Sequence, residues 1–453
     1  MNHSALKTFA QDARRKLCNL IGARLDYVLT ADTAELRQQA AQVAELRNAL
    51  AGEGRDTLRE RVAYTWFNRL AALRFMDANG YHPFGARVIT PATANETLPE
   101  LLQQARAGAL DADFKSQISN LNTFDELLAG RIPVDHLEAQ VFKLLLVAAC
   151  NYYHRLMPFL FEKIGDATEL LLPEDLLTEH SIVADFRENL TDEDCGNEEV
   201  LGWLYQYYIS EKKDEVMARN AAVPMQDIPA VTQLFTPHWI VRYLVENSLG
   251  RLWLLNRPHS RLHEKMPYYI GGEPEADFLK ITKPEDIRLL DPAGGSGHML
   301  TYAFDLLYTI YEEEGYDAPE IPGLILKHNL YGVDICDRAV ALAAFALCMK
   351  ARAKDNRFFR RFSAGGDSPM QPHVIALQEI HFDEGELSAY FKALGTQPST
   401  LNSQLTKLLY QFEEAKNFGS LIQPCLSESE IVAVLEKLST LNSKLSIRDL
   451  TVA

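Results

Sequence analysis

At 453 residues, 47% of them hydrophobic, the chain has enough apolar material for two or three domains, and its composition excludes global disorder. A net charge of −17, from 62 acidic and 45 basic residues, excludes a grip on a phosphate backbone by bulk attraction and leaves only local contacts to nucleic acid. Six scattered cysteines with no Cys-x-x-Cys spacing fit none of the usual zinc patterns, and a charged N-terminus with no uncharged apolar run near about 18 residues predicts a cytoplasmic chain with neither a metal nor a membrane partner.

From residue 4 to about 88, apolar residues recur at steps of three and four, in LKTFAQDARRKLCNLIGARL and in TLRERVAYTWFNRLAALRFMDANG, which Asn79-Gly80 stops. TPATANETLPE reads as a polar loop. The helical pattern resumes in VFKLLLVAACNYYHRLMPFLFEKI and NEEVLGWLYQYYISEKKDEVM, so residues 1–222 are expected to form a helical N-terminal domain. Trp66, Phe67, Tyr152, Tyr153, Trp203, Tyr205, Tyr207 and Tyr208 have the chemistry of a base-stacking platform, but they lie among aliphatic residues at helical spacing and are assigned to the core.

The character changes near Val223-Pro224. FTPHWIVRYLVENSLG, Phe235 to Gly250, predicts a helix with Thr236 as N-cap and Pro237 at its first position, and a helix start of this kind also suits a carboxylate ligand. His259 and His263 have ligand chemistry, but Pro258 and the surrounding charges predict a solvated loop. After a Pro/Gly-rich connection to about residue 280, β-type runs alternate with helices: IRLLD, HMLTYAFDLLYTIYEEEG, LYGVDI, RAVALAAFALCMKARAK and HVIAL. This alternation predicts parallel β-α-β units. From Phe382 the pattern is again polar and helical, clearest in LNSQLTKLLYQFEEAKNFGSLI.

The chemistry gathers at Leu289 to Leu300, LLDPAGGSGHML. A strand ending in Asp291 enters a turn whose Gly294, Gly295 and Gly297 admit a ligand close to the backbone, and the following helix aims unpaired N–H groups at it. His298-Met299 stands where a phosphate-binding loop needs Lys-Ser or Lys-Thr, and the glycine spacing departs from the dinucleotide pattern. Asp334, ending the next β-type run, has two readings: acceptor for both hydroxyls of a ribose, or cap for the helix that begins near Cys336.

Phe-Thr-Pro, Asp-Pro-Ala-Gly-Gly-Ser-Gly and Gly-Val-Asp, in that order, resemble the cofactor half of the amino-group DNA methyltransferases that methylate adenine, with the order found in restriction-modification methylases. More narrowly, LRERVAYTWFNRLAALRFMDANGY, LGWLYQYYISEKKDEV, LFTPHWIVRYLVENSLG and LYGVDICDRAVALAAFALCMKAR resemble the N-terminal part of the PglX-like methyltransferases of BREX phage-defence systems. The resemblance implies an α/β Rossmann-like methyltransferase domain, incomplete at its first three strands, behind a mostly α-helical N-terminal domain. The expected units are 1–222, a cofactor-binding half at 223–381, and a helical insertion or remainder at 382–453. It implies S-adenosyl-L-methionine as cofactor, with Asp291, Ala293, Gly294, Gly295, Ser296 and Gly297 along the methionine moiety, Thr236 and Pro237 at its carboxylate, Asp334 on the ribose, Ile335 on the adenine ring, and Gln378 or Glu379 near the adenine amine.

The family's Asn/Asp-Pro-Pro-Tyr/Phe tripeptide-plus-aromatic motif, which holds a flipped base, does not occur in the sequence, and Asn417-Phe418 lacks the prolines to stand in for it. The expectation is a chain truncated before its catalytic loop, with no catalytic residue of its own and an apolar edge left on the strand ending at Asp291. Its double-stranded DNA contacts would lie mainly in missing C-terminal parts. Its further partners would be other defence-system subunits or the rest of the methyltransferase. A second reading stays open, a non-catalytic module that docks defence subunits or a phage inhibitor, and an RNA or protein methyltransferase would share the cofactor motifs.

Overall fold

The computed structural model describes residues 2–432 except 94, 135, 163–168, 220, 225–226, 273–274, 364–370, 380, 382, 384, 387–399, 424 and 428. Glu379 is exposed to a middling degree beside this boundary, and most of the segment expected at 382–453 falls outside the described residues.

Helix α1 (His3–Thr30) starts where the Asn2 side chain accepts the Ala5 N–H. Helix α2 (Arg55–Asn79) ends as the sequence predicts, because Gly80 takes the left-handed conformation (φ 63°) that lets its N–H close on the last carbonyls. Helix α3 (Leu137–His154) is shorter than its apolar pattern. The Leu156 and Met157 N–H groups both turn back to the Tyr153 carbonyl, and Pro158 follows with no N–H to continue the ladder. Helix α4 (Glu199–Ala218) lies against α1, and the aromatics common to this region behave largely as core: Trp66, Phe67, Tyr152, Tyr153, Tyr205 and Tyr208 are buried. Trp203 and Tyr207 are not; they are half-buried and stack on one another at 5.6 Å.

Helix α5 (His238–Val245) begins one residue later than expected. Its N-cap is Pro237, and Thr236 does not cap it. The chain runs on through a π-helical turn, Glu246–Gly250, into α6 (Arg251–Asn256). That turn carries a fully buried carboxylate, Glu246, whose oxygens accept the Tyr302 hydroxyl and the Tyr268 N–H, each at 2.6 Å. The bonds satisfy the buried charge and hold this strap to the helix that follows the glycine turn.

Strand β1 (Leu289–Asp291) leads into α7 (His298–Glu313). Helix α8 (Ile321–His328), which the sequence reading did not separate from its surroundings, comes before β2 (Leu330–Asp334); α9 (Asp337–Lys354) and β3 (His373–Ala376) follow. The three strands form a parallel sheet in the order β1-β2-β3, with Asp291 beside Gly332 and Asp334 beside Ala376. On one face Gly332 must lack a side chain, since a Cβ there would meet Leu300 of α7 at 2.8 Å and Val374 at 3.1 Å. The alternate residues point to the other face, where Leu290 and Ile375 remain 59% and 58% exposed. Among the described residues, then, the sheet is wound on one face and not on both.

One continuous cluster of buried side chains runs from Leu6 to Phe359, through the helical region and the α/β region alike. Among the described residues no helix is long and apolar enough to cross a membrane.

Candidate functional site

At the C-terminal end of β1 the Asp291 carboxylate accepts the Ala293 N–H at 3.2 Å, and the Gly294 N–H donates to the Val333 carbonyl at 2.9 Å, so the turn is fastened to β2 as it forms. Gly295 and Gly297 take positive φ, 53° and 89°. At Gly297 a Cβ would also lie 2.9 Å from the Ala343 Cβ, so only glycine lets α9 come this close to the turn. The next contact joins the two sequence motifs. Asp334, at the end of β2, accepts the Gly295 N–H at 2.8 Å through one oxygen and the Cys336 N–H at 2.8 Å through the other. Part of the local reading of Asp334 therefore holds, although the cap of α9 is Cys336 itself. A carboxylate offers about four lone-pair sites, so two remain for a ligand.

Asp291 and Asp334 are close enough to feel each other. Burial, with the Asp334 charge adding to it, pushes the Asp291 carboxyl above the usual carboxylate range. A site that gathers two carboxylates at the mouth of a glycine turn favours a ligand with a cationic group and hydroxyls. Ser296 is buried and Ala293 is exposed.

Residues to which the sequence motifs assign no ligand role form the second wall. Phe235 stacks on Trp203 at 3.6 Å and meets the His298 ring edge-on at 3.9 Å. Gln233 reaches over the turn, its Nε2 3.3 Å from where a Gly295 Cβ would stand, while its carbonyl accepts the Lys213 ammonium at 3.0 Å. On α4, a Cβ at Gly202 would collide with His298 at 2.6 Å and with the Ser296 hydroxyl at 2.8 Å. On α4 the signal for this wall is a lone glycine inside a helical pattern, in LGWLY, which marks a close approach. His298 is held down to about 4 by burial, with His238 nearby adding to the effect, so its ring is neutral at physiological pH. Thr236 and Pro237 follow Phe235 directly and border this wall, but the Thr236 side chain forms no capping bond.

The far end is closed by the other predicted residues. Ile335 lies under the turn Gly419–Leu421, its Cγ2 3.2 Å from where a Gly419 Cβ would be. Gln378, two residues past β3, donates its amide to Asp337, whose second oxygen pairs with Lys416 at 3.1 Å. The structure thus brings Asp291, the glycine turn and Asp334 into direct contact. It places Ile335 and Gln378 further along the same strand ends, and Thr236-Pro237 at the opposite side. Among the described residues no group of three His, Cys, Asp or Glu side chains is arranged to hold a metal ion. His263 instead bonds to the Ser260 carbonyl in a 3-10 turn.

The helical region buttresses this loop from behind. Just past Asp334, the Cys336 thiol meets the Tyr205 hydroxyl at 2.8 Å and Arg338 lies 4.5 Å over the Tyr64 ring. Further along α9, Phe345 packs on Phe75 and Lys350 pairs with Glu198 at 2.8 Å.

No family model matches the chain. It is 41% identical over 411 residues to a protein of Escherichia coli named adenine-specific methyltransferase BrxX, covering 85% of this chain and 33% of that protein. It is 34% identical over 469 residues to the adenine-specific methyltransferase PglX of Lacticaseibacillus casei, covering 93% of this chain and 38% of that one. The chain therefore spans about a third of the length of these relatives. A protein of Methanocaldococcus jannaschii, provisionally named a type II restriction enzyme and methyltransferase, is 29% identical over 172 residues, or 33% of this chain and 14% of its own.

Proposed function

The chain is a homologue of the adenine-specific methyltransferases BrxX and PglX, and we propose that it forms the cofactor-binding part of a site-specific adenine DNA methyltransferase of a phage-defence system, of BREX or restriction-modification type. The observation that carries this reading is the hydrogen bond from the Gly295 N–H to Asp334, which unites the glycine turn after β1 with the acidic end of β2 in one site.

S-adenosyl-L-methionine supplies a methyl group on a sulfonium, which the adenine 6-amino nitrogen takes by direct displacement, so the protein's part is positioning and electrostatics. The residues suit that ligand. Asp291 is a half-buried carboxylate that an ammonium would relieve, and it would stand at the methionine amine beside Ala293, Gly294, Gly295, Ser296 and Gly297. Thr236 and Pro237 would border the methionine carboxylate. Asp334, with lone pairs to spare, would take the ribose hydroxyls; Ile335 would pack on the adenine ring, and Gln378 would lie near its amine. Gln233, Phe235 and His298 would exclude water from the turn. Double-stranded DNA and other defence subunits are the proposed partners of the whole assembly, and the cytoplasm its location.

Titration calorimetry of the full chain with S-adenosyl-L-methionine tests this. The expected result is saturable binding that weakens by about tenfold or more in Asp334→Ala, the loss of one or two hydrogen bonds to a charged group. Absence of binding by the unaltered chain at millimolar ligand would overturn the cofactor assignment.

A further inference from the structure

At the other end of α9, about 22 Å along its axis from Asp337 at a rise of about 1.5 Å per residue, the chain turns abruptly basic: Lys350, Arg352, Lys354, Arg357, Arg360 and Arg361 fall within twelve positions that hold one carboxylate, Asp355. In a protein of net charge −17 this is a local inversion of sign. Three of these residues converge. Arg352, Arg357 and Arg360 line a cleft of about 260 Å³ whose other walls include His82, Pro83 and Phe359.

The nearby carboxylate is already engaged. Asp355 pairs with Arg361 at 2.9 Å and accepts the Arg357 N–H at 2.9 Å. Among the described residues none of Arg352, Arg357 and Arg360 forms an ion pair; Arg352 lies 5.0 Å over the Tyr81 ring, and Arg360 reaches only the Pro83 carbonyl at 3.4 Å. Burial, with Arg360 adding to it, brings Arg352 below the usual arginine range, against the opposing pull of Tyr81 and Asp355 nearby. The floor is rigid, since His82 is clamped between Asp77 at 2.7 Å and the Tyr153 hydroxyl at 2.6 Å, and Asp77 in turn accepts the N–H groups of Val88, Ile89 and Thr90.

We propose that this cleft is a phosphate-binding site, in which the guanidinium groups of Arg352, Arg357 and Arg360 engage the oxygens of one phosphoryl group. Guanidinium forks match phosphate geometry bidentately, and a rigid, carboxylate-free wall discriminates in favour of an anion. The cleft is smaller than the roughly 300–1,000 Å³ that houses whole ligands, so it takes a phosphate and not an entire nucleotide. The phosphoryl group comes either from a free anion or from a nucleic acid backbone laid across the cleft.

The test uses the full chain in buffers of equal ionic strength. Inorganic phosphate and pyrophosphate are titrated against chloride by calorimetry and thermal shift, and a blunt DNA duplex by fluorescence anisotropy. Arg357→Ser/Arg360→Ser, altering two exposed positions, and Arg352→Lys, keeping the charge but removing the fork, serve as variants, with melting curves confirming that each folds. The expected result is phosphate binding above the chloride control that falls by about tenfold or more in both variants, one charge-assisted bond lost being worth about that factor. Loss confined to the free anions identifies a soluble ligand, and loss confined to the duplex identifies a backbone phosphate; either supports the site. Binding of neither, or binding unchanged in the variants, overturns it.

Discussion

Asp291 shows how its surroundings can set a single charged residue against stability. Its carboxyl titrates higher in the folded chain than in the unfolded one, so the folded form is favoured at low pH and loses stability as pH rises through the carboxylate range. At neutral pH, Asp291→Asn is therefore expected to melt at a higher temperature than the unaltered chain while binding S-adenosyl-L-methionine less tightly; paired melting and calorimetry check this, and a lower melting point would refute the electrostatic account. Asparagine keeps an acceptor for the Ala293 N–H, so the turn itself is retained. Gly202 and Gly297 carry the opposite lesson. Alanine at either forces a carbon against a neighbour, His298 in one case and Ala343 in the other, and is expected to cost about 1–3 kcal/mol, read from urea denaturation. The positions differ in legibility. Gly297 belongs to a motif that announces itself, whereas Gly202 stands in a helix some ninety positions upstream, and only the fold reveals that it faces the same turn.

Among elements, the strap from Phe235 to Asn256 decides how the glycine turn is closed. Its Phe235 joins Trp203 of α4 to His298 of α7, and its Glu246 is tied to Tyr302. Because His298 is neutral when folded and free to protonate when unfolded, its contribution is present above the ordinary histidine value and is lost as pH falls from about 6.5 towards about 4. The midpoint of urea unfolding should fall over this window, by up to about 3 kcal/mol in stability, and His298→Gln should flatten the decline. Unchanged pH dependence in that variant would remove His298 from the account. Tyr302→Phe leaves one oxygen of the buried Glu246 without its partner and is expected to cost about 1–3 kcal/mol, again by urea denaturation. The helix was legible from its Thr-Pro start and apolar spacing. Its cap lies at Pro237, and its π-turn was invisible, because the Glu246 of that turn finds its partner on α7, far along the chain.

For the whole molecule, the continuous core from Leu6 to Phe359 predicts one cooperative transition, with tryptophan fluorescence and far-ultraviolet circular dichroism changing together on heating; two separated transitions would show that the helical and α/β regions are independent. The sequence by itself determined the local chemistry: helices where apolar residues recur every three or four positions, three β-type runs, a glycine turn, and an acidic residue ending the second strand. Those features are encoded by neighbours within one or two turns of chain, and their order along it is what carries the resemblance to the adenine-specific methyltransferases. Only the tertiary structure decided what the helical region does for the site, for Gly202 meets the turn and Tyr205 meets Cys336 across ninety residues or more, and Trp203 joins the same wall through Phe235. It alone decided that, among the described residues, helices cover one face of the sheet and three arginines whose side chains form no ion pair meet in a cleft of an acidic protein. The reason is physical: periodicity records which face of an element is buried, but not which distant element covers it.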